Sequence, residues 1–358
     1  MKNTRFLIAS GGTGGHFYPG FALGKFLHEH GARVLFVVRQ DDPASDVLEE
    51  QNLPYTQLAL QTGLPRSINP LRHIRFIKQL LASFRQTSAL IKDFQPDVTL
   101  GMGGYVSFPL IFCSHRMGVK TAVHESNALW GLANKICARF ATLRLMGLPM
   151  QKTFKNAVLT STPIRPEFGQ SVSRETALSQ LGLKSSLPTV LVMGGSQGAK
   201  GLNQALISVI KALPTWQFIH ITGKRWYEPQ AQAYKGLPNV KVLDYCEGIY
   251  RLMKSVDLMI CRSGASTLAE VIACKVPAVL VPFPYAAANH QYFNAKVLAD
   301  SGCAQLIVEG PELAANLQQA LRECTPEKLA AMRQAYNNLP VPDPLHATEN
   351  IAKLLMNL

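Results

Sequence analysis

Residues 8–20 read IASGGTGGHFYPG: four glycines flank Thr13, and His16 follows at once. A glycine turn between a strand and a helix serves one of two ends. It is a tight turn with close packing, or it offers free backbone N–H groups and a helix dipole to phosphate. The spacing does not fit a dinucleotide fingerprint, because Gly12 and Gly14 open a pattern whose sixth position is Phe17. Two further glycine turns, LGMGGY at 100–105 and GGSQGA at 194–199, share the form. Three such turns favour phosphate, and Ser196 adds a hydroxyl to the last; a diphosphate is the natural guest. His16 has two readings. It takes a proton from an acceptor hydroxyl near neutral pH, helped by a helix N-terminus that favours the neutral ring, or it only fixes the loop through backbone bonds.

Two later segments carry polar chemistry. In CRSGASTLAEV, 261–271, a strand ends at Ser263-Gly264 and a helix begins at Ala265-Ser266-Thr267. Glu270 lies three residues beyond Thr267, on the same side. It closes a capping box with Thr267, or it accepts the two vicinal hydroxyls of a ribose. PFPYAAANHQYFNA, 282–295, is proline-rich, then polar at Asn289, His290 and Gln291, then helical. Amides and imidazoles there suit a sugar; the plainer alternative is a solvated helix start.

The elements that must hold these residues are legible in the hydropathy. Short apolar, β-rich runs alternate with helix-like segments: RFLIAS, RVLFVV, YTQLAL, DVTLGM, KTAVHES, TLRLMG and NAVLTS, then TVLVMGG, FIHITG, VKVLDY, LMICRSG, PAVLVPF and AQLIVE. Continuous apolar strands separated by helices predict α/β architecture with parallel sheets covered on both faces. The openings RFLIASGGTGG and TVLVMGGSQGA, about 180 residues apart, predict two Rossmann-like domains, joined near TSTPIRPEF at 160–168. The expected boundaries are 1–162, 163–340, and a terminal helix at 341–358 able to pack back on the N-terminal domain. Ligands of such folds bind at strand C-termini, and all three glycine turns fall there.

Composition narrows the class. The 358 residues are 47% hydrophobic and 16% charged, and no apolar run approaches a membrane span of about 20 residues. The N-terminus enters a strand directly, without the pattern of a signal peptide. Seven cysteines without a C-x-x-C pair read as scattered reduced thiols, not a zinc site. Residues 1–162 carry 18 Lys and Arg against 9 Asp and Glu, a net charge of +9 of the chain's +13. A basic first half implies an anionic partner, and without an RNA-binding or helix-turn-helix signal that partner is not nucleic acid. Residues 63–92 hold Arg66, Arg72, Arg75, Lys78, Arg85 and Lys92 and no acidic residue. On a helical wheel Ile74, Phe76, Ile77, Leu80, Leu81 and Phe84 share one arc and Arg72, Arg75, Lys78 and Arg85 the other. The apolar arc packs on the domain's own sheet, or part of it meets anionic lipid.

GGTGGHFYPG, GMGGYVSFP, HESNALWGLANK, GGSQGAKGLN, RSGASTLAE and PFPYAAANHQYFNA, in this order from residue 5 to about 300, resemble the motifs of the MurG family. These are UDP-N-acetylglucosamine-dependent transferases of peptidoglycan precursor synthesis. The resemblance implies the GT-B fold, two Rossmann-like domains facing across a deep cleft, with no cofactor and no metal. It implies inverting transfer of GlcNAc from UDP-GlcNAc to the C4 hydroxyl of the MurNAc sugar of undecaprenyl-pyrophosphoryl-MurNAc-pentapeptide (lipid I), giving lipid II. By motif, Glu270 would bind the ribose. Ser196, Thr267 and amides near Ser266 would bind the diphosphate, within a binding segment Ala265, Ser266, Thr267, Leu268, Ala269 and Glu270. Gln291 and Ala265 would bind the GlcNAc hydroxyls, and Arg165 and the backbone at Cys246 the uracil. Thr13, Gly14, Gly15 and Asn127 would border the sugar, Gly103, Gly104 and Tyr105 the acceptor, and His16 would be the base. Implied partners are lipid I, an anionic membrane surface at the cytoplasmic face of the cell inner membrane, and cell-wall or division proteins. Ser126 and Trp130 depart from the family's usual residues, as do Ala288 and Asn289 before His290-Gln291. A UDP-GlcNAc 2-epimerase of the same fold should line its cleft with carboxylates, and the N-terminal glycine loops supply none. A non-catalytic nucleotide-sugar-binding protein would lose the acceptor half, yet His16, Tyr105 and Asn127 are present.

Overall fold

The computed structural model describes residues 2–12, 14–60, 69–195 and 198–358, without the side chains of Pro70 and Arg72. Each of the thirteen apolar runs forms a strand. The chain divides into two compact units, Met1–Arg165 with Val341–Leu358, and Pro166–Pro340.

The first unit runs β1 (Arg5–Ala9), α1 (Gly14–Glu29), β2 (Arg33–Arg39), α2 (Ala44–Glu50), β3 (Tyr55–Leu58), α3 (Pro70–Phe94), β4 (Val98–Gly101), α4 (Ser107–Arg116), β5 (Lys120–Glu125), α5 (Leu132–Cys137), β6 (Leu143–Met146) and β7 (Ala157–Leu159). Its described strands form a parallel sheet in the order β3-β2-β1-β4-β5-β6-β7. Phe6, Leu7, Ile8 and Ala9 on β1 are all fully buried, as a strand covered on both faces requires. The sheet order reverses between β1 and β4, so the turns after these strands, 10–12 and 102–106, emerge side by side.

The second unit runs α6 (Arg174–Ser179), β8 (Thr189–Met193), α7 (Lys200–Ala212), β9 (Gln217–Ile221), α8 (Tyr227–Ala233), β10 (Val240–Leu243), α9 (Tyr250–Met253), β11 (Leu258–Cys261), α10 (Ala265–Cys274), β12 (Ala278–Leu280), α11 (His290–Asp300), β13 (Ala304–Leu306), α12 (Leu313–Arg322) and α13 (Pro326–Ala335). Its parallel sheet has the order β10-β9-β8-β11-β12-β13, and β8 beside β11 makes the same reversal. The last helix, α14 (Ala347–Met356), belongs to the first unit: Ile351, Ala352 and Leu355 are buried in the cluster that holds Leu23 and Leu27 of α1.

Helix ends follow local chemistry. Asn69 caps α3, its side chain accepting the Leu71 N–H at 3.0 Å, with Pro70 supplying the fixed first φ. The helix stops where Gln95 turns left-handed ahead of Pro96. The two arcs expected of α3 interleave instead of separating. Phe76, Leu80 and Phe84 are half-buried, whereas Ile74, Ile77 and Leu81 are exposed alongside Lys78 and Arg85. The inward face is completed by Ser83, Thr87 and Ile91, two of them polar, which a wheel of apolar residues alone does not reveal. Arg66 lies outside the described residues, as does the Arg72 side chain.

Candidate active site

In the first unit the turn after β1 is anchored by a group sequence reading missed. Asp42, buried beyond β2, accepts the Gly12 N–H at 2.7 Å and the Arg39 Nε–H at 3.0 Å on one oxygen. Its other oxygen accepts the Ala44 N–H at 3.1 Å. A Cβ on Gly11 would lie 2.9 Å from that carboxylate, and Gly12 has φ +89°, so neither position suits a larger residue. The loop itself supplies no carboxylate, as expected, but its Gly12 amide is not freely available. Asp42 brings a carboxylate, and it occupies the Gly12 amide. Gly14 and Gly15 remain exposed at the start of α1, and Thr13 lies outside the described residues.

Ser10, at the end of β1, donates to the carbonyls of His16 and Phe17 at 3.2 and 3.0 Å and so holds the first turn of α1. The half-buried His16 ring rests against the turn after β4. A Cβ on Gly103 would come within 2.7 Å of its Cδ2 and 2.9 Å of its Nε2, and Gly103 and Gly104 have φ +109° and +74°. Ser107 locks that turn, donating to the Gly103 carbonyl at 2.7 Å and accepting its N–H at 3.1 Å. Tyr105 beside it is 47% exposed. His16 thus meets the Gly103–Tyr105 turn because β1 and β4 are neighbours.

A third loop joins them. Glu125, at the end of β5 and 2% exposed, accepts four hydrogen bonds. They come from the N–H and Nδ2 of Asn127 at 3.1 and 2.9 Å, the Gly131 N–H at 2.9 Å, and Asn134 Nδ2 at 3.0 Å. Asn134 Nδ2 also donates to the His124 carbonyl and lies 3.3 Å from where a Gly103 Cβ would be. The histidine of this motif is structural: His124 bonds the Ser161 carbonyl through Nε2 at 2.9 Å, and burial holds its pKa below the ordinary value. The sequence signal was there, since Glu125 stands inside HESN beside the expected Asn127.

In the second unit the turn after β8 packs so closely that a Gly194 Cβ would lie 2.6 Å from that of Ala199. Gly195 and Gly198 have φ +91° and +71°, and Ser196 lies outside the described residues. A buried chain supports the turn: Tyr234 OH to His220 Nδ1 at 2.8 Å, His220 Nε2 to Asn203 Oδ1 at 3.1 Å, and Asn203 Nδ2 to the Thr222 carbonyl at 3.1 Å. Burial pushes His220 down to about 4, so the ring is neutral in this chain.

After β11, α10 starts at Ala265 with Gly264 as its cap. Thr267 is therefore inside the helix, and the capping box with Glu270 does not form. Among the described residues no side chain caps α10, its first turn holds no acidic residue, and the Leu268 N–H already bonds the Gly264 carbonyl at 2.9 Å. The open donors are the amides of Ala265, Ser266 and Thr267. Leu268 and Ala269 are buried with helix-bonded amides and offer a ligand neither side chain nor N–H. Ser266 Oγ is buried without a hydrogen-bond partner among the described residues. Half-buried Glu270 lies one turn further along α10.

The start of α11 is tied to this turn. Ser263 Oγ donates to the Gln291 carbonyl at 2.8 Å, and Asn294 Nδ2 donates to the Ser263 carbonyl at 3.0 Å. Gln291 turns its amide oxygen to the Phe283 N–H at 3.0 Å. Arg262 donates to the Val281 and Pro282 carbonyls at 3.1 and 3.0 Å and pairs with Glu309 at 2.5 Å, whose carboxylate flanks Gly201 in α7. These contacts draw α10, α11 and the first turn of α7 to one end of the sheet. Cys246, half-buried after the edge strand β10, is three places from β11 and not part of that cluster. Arg165 is the last residue of the first unit. Among the described residues no group of three His, Cys, Asp or Glu could hold a metal ion, and no helix is long and apolar enough to cross a membrane.

Residues 6–145 match the glycosyltransferase family 28 N-terminal domain and residues 189–353 its C-terminal domain. A protein of Elusimicrobium minutum, named a UDP-N-acetylglucosamine–N-acetylmuramyl-(pentapeptide) pyrophosphoryl-undecaprenol N-acetylglucosamine transferase, is 49% identical over 99% of both chains. One of the same name from Desulfitobacterium hafniense is 36% identical over 96% of both. The crystal structure of Acinetobacter baumannii MurG is similar at TM-score 0.82 and 27% identity, covering 99% of this chain and all of that one. A kitacinnamycin glycosyltransferase at 16% identity and TM-score 0.73 shares the fold alone. With two Rossmann-like units on parallel sheets and relatives matched end to end, the chain belongs to glycosyltransferase family 28, in its MurG branch, with the GT-B fold.

Proposed function

We propose that this enzyme moves GlcNAc from UDP-GlcNAc to the C4 hydroxyl of the MurNAc sugar of lipid I, with inversion, to give lipid II. The observation that carries the donor half is α10: an uncapped N-terminus with the orphaned Ser266 hydroxyl, Glu270 one turn on, and Gln291 tied alongside. The amides of residues 265–267, with Ser196, receive the diphosphate and stabilise the charge that develops as UDP leaves. Glu270 accepts the ribose hydroxyls, Gln291 donates its NH2 group to the sugar, and Arg165 and the Cys246 backbone recognise uracil. On the acceptor side, with Gly14, Gly15, Asn127 and Tyr105 around the substrates, His16 removes the C4 hydroxyl proton while that oxygen attacks C1.

The test is transfer of radiolabel from UDP-GlcNAc to a lipid I analogue, with EDTA in a parallel sample. Label should enter the lipid fraction at nearly the same rate in both. Label recovered only as the 2-epimer or as unreacted donor would overturn the transferase reading, and rescue by Mg²⁺ after complete loss in EDTA would overturn metal independence.

The acceptor's undecaprenyl chain requires approach to a bilayer, and α3 has the surface for it. Leu71, Ile74, Ile77 and Leu81 are 49–71% exposed beside Lys78 and Arg85. Each cation near an anionic leaflet contributes about 1 kcal/mol, and inserted aliphatic groups add to it. We assign α3 to peripheral contact with the cytoplasmic face of the inner membrane. Co-sedimentation should require anionic vesicles, weaken in high salt and fall in the variant Arg75→Glu with Lys78→Glu. Equal binding to neutral vesicles would return α3 to ordinary core packing.

A further inference from the structure

We propose that Glu125 is a positioning residue for the reaction, setting His16 through Asn134; this rests on the proton-transfer role given to His16 above. Glu125 is 2% exposed, and among the described residues its four hydrogen bonds come from neutral donors in the loop 127–134. A buried carboxylate that makes no ion pair among the described residues is an expensive way to hold a loop if holding is its only task. Its geometry shows what else it fixes. One Glu125 oxygen takes Asn127, main chain and side chain, while the other takes Gly131 and Asn134.

Asn134 is the bridge. Its Nδ2 spends both hydrogens, on Glu125 Oε2 and the His124 carbonyl, which fixes the rotation of the amide. That nitrogen and the Nε2 and Cδ2 of His16 flank the same bare face of Gly103, at 3.3, 2.9 and 2.7 Å from where a Cβ would stand. The His16 ring and the Asn134 amide thus share the space that a side chain on Gly103 would fill, so the amide borders the room left to the ring. The fixed rotation leaves Asn134 Oδ1 buried with no hydrogen-bond partner among the described residues. A buried acceptor left unsatisfied is costly, a cost explained if the carboxylate dictates the orientation. Glu125 then acts at one remove: it orients Asn134, and Asn134 limits where His16 can point.

The test is a double-variant cycle on Glu125→Gln and His16→Ala, measured with UDP-GlcNAc and a lipid I analogue. Glu125→Gln keeps the shape of the side chain but turns one acceptor into a donor facing two donors. It should lower kcat by roughly 10- to 100-fold, the usual cost of a displaced catalytic group, with KM for UDP-GlcNAc within about twofold. In the His16→Ala background the same change should cost no more than about threefold, because the group it positions is gone. Asn134→Ala, which leaves the other three bonds of Glu125 intact, should reproduce the kcat loss and guards against a misfolded first variant. Equal losses in both backgrounds, or Asn134→Ala with unchanged kcat, would overturn the positioning role. Full activity in His16→Ala alone would instead overturn the role of His16 and leave the cycle to report only on the loop.

Discussion

The turns after β1 and β8 open the two units with nearly the same glycine pattern, yet the structure equips them differently. After β1 a buried carboxylate sits on the loop: Asp42 takes the Gly12 amide, and Ser10 ties the first helical turn that carries His16. After β8 the carboxylate is held off the loop itself. Glu309 flanks Gly201 inside α7 and is paired with Arg262, while the neighbouring α10 has neither a side-chain cap nor an acidic first turn. At Gly12 the amide is already held by a carboxylate that also pairs with Arg39, whereas the first turn of α10 presents open amides of the kind that bind anions. Similar sequence patterns therefore make one turn whose amide a carboxylate holds and another whose neighbouring carboxylate lies against α7 instead. The difference lies in residues 30 or more positions away.

The largest effect expected from breaking this contrast is at His16. His16→Ala should lower kcat by roughly 10²- to 10⁴-fold while calorimetric UDP-GlcNAc affinity stays at the wild-type value; a loss of tenfold or less would make the ring a positioning group. Next comes acid sensitivity in the second unit. Burial pushes His220 down to about 4 from the ordinary 6.5, so the unfolded chain binds a proton that the folded chain refuses between those values. The contribution is complete above pH 6.5 and declines as pH falls toward 4, by about 3 kcal/mol in all. Melting curves of His220→Gln should be flatter across that window than wild type, and parallel curves would contradict the neutral buried ring. Asp42→Asn removes a charge that accepts from Gly12 and Arg39, so chemical denaturation should show the first unit weakened by about 1.5–3 kcal/mol with UDP affinity unaltered. An altered UDP affinity would blur the distinction between the loops. Glu270→Ala, the smallest of these, should weaken UDP-GlcNAc binding by about 1–3 kcal/mol; unchanged binding would reject its contact with the ribose.

Most of the fold was legible because its signals are local. Apolar runs such as FLIA and LMIC and the glycine turns each carry their structure within a few residues. The site was legible only in part. His16, Gly103 and the 265–270 segment stand at strand ends where periodicity places them, and Asn127 came only through the family resemblance. Asp42, Glu125, Asn134, Asn203 and Glu309 act through contacts set by sheet order, and a single sequence has no local mark for such contacts. The same limit explains α3, where Ile74, Ile77 and Leu81 are as apolar as the residues that turn inward. It also explains the capping box, since Thr267 and Glu270 have the right spacing but the helix begins two residues earlier.

Hydrogen–deuterium exchange of the backbone amides, with and without saturating UDP, tests most directly whether the two glycine openings have different tasks. Protection should rise at 194–199 and 264–267 and remain unchanged at 11–15. Protection at 11–15 equal to or above that at 264–267 would contradict the assignment of the diphosphate to the second unit.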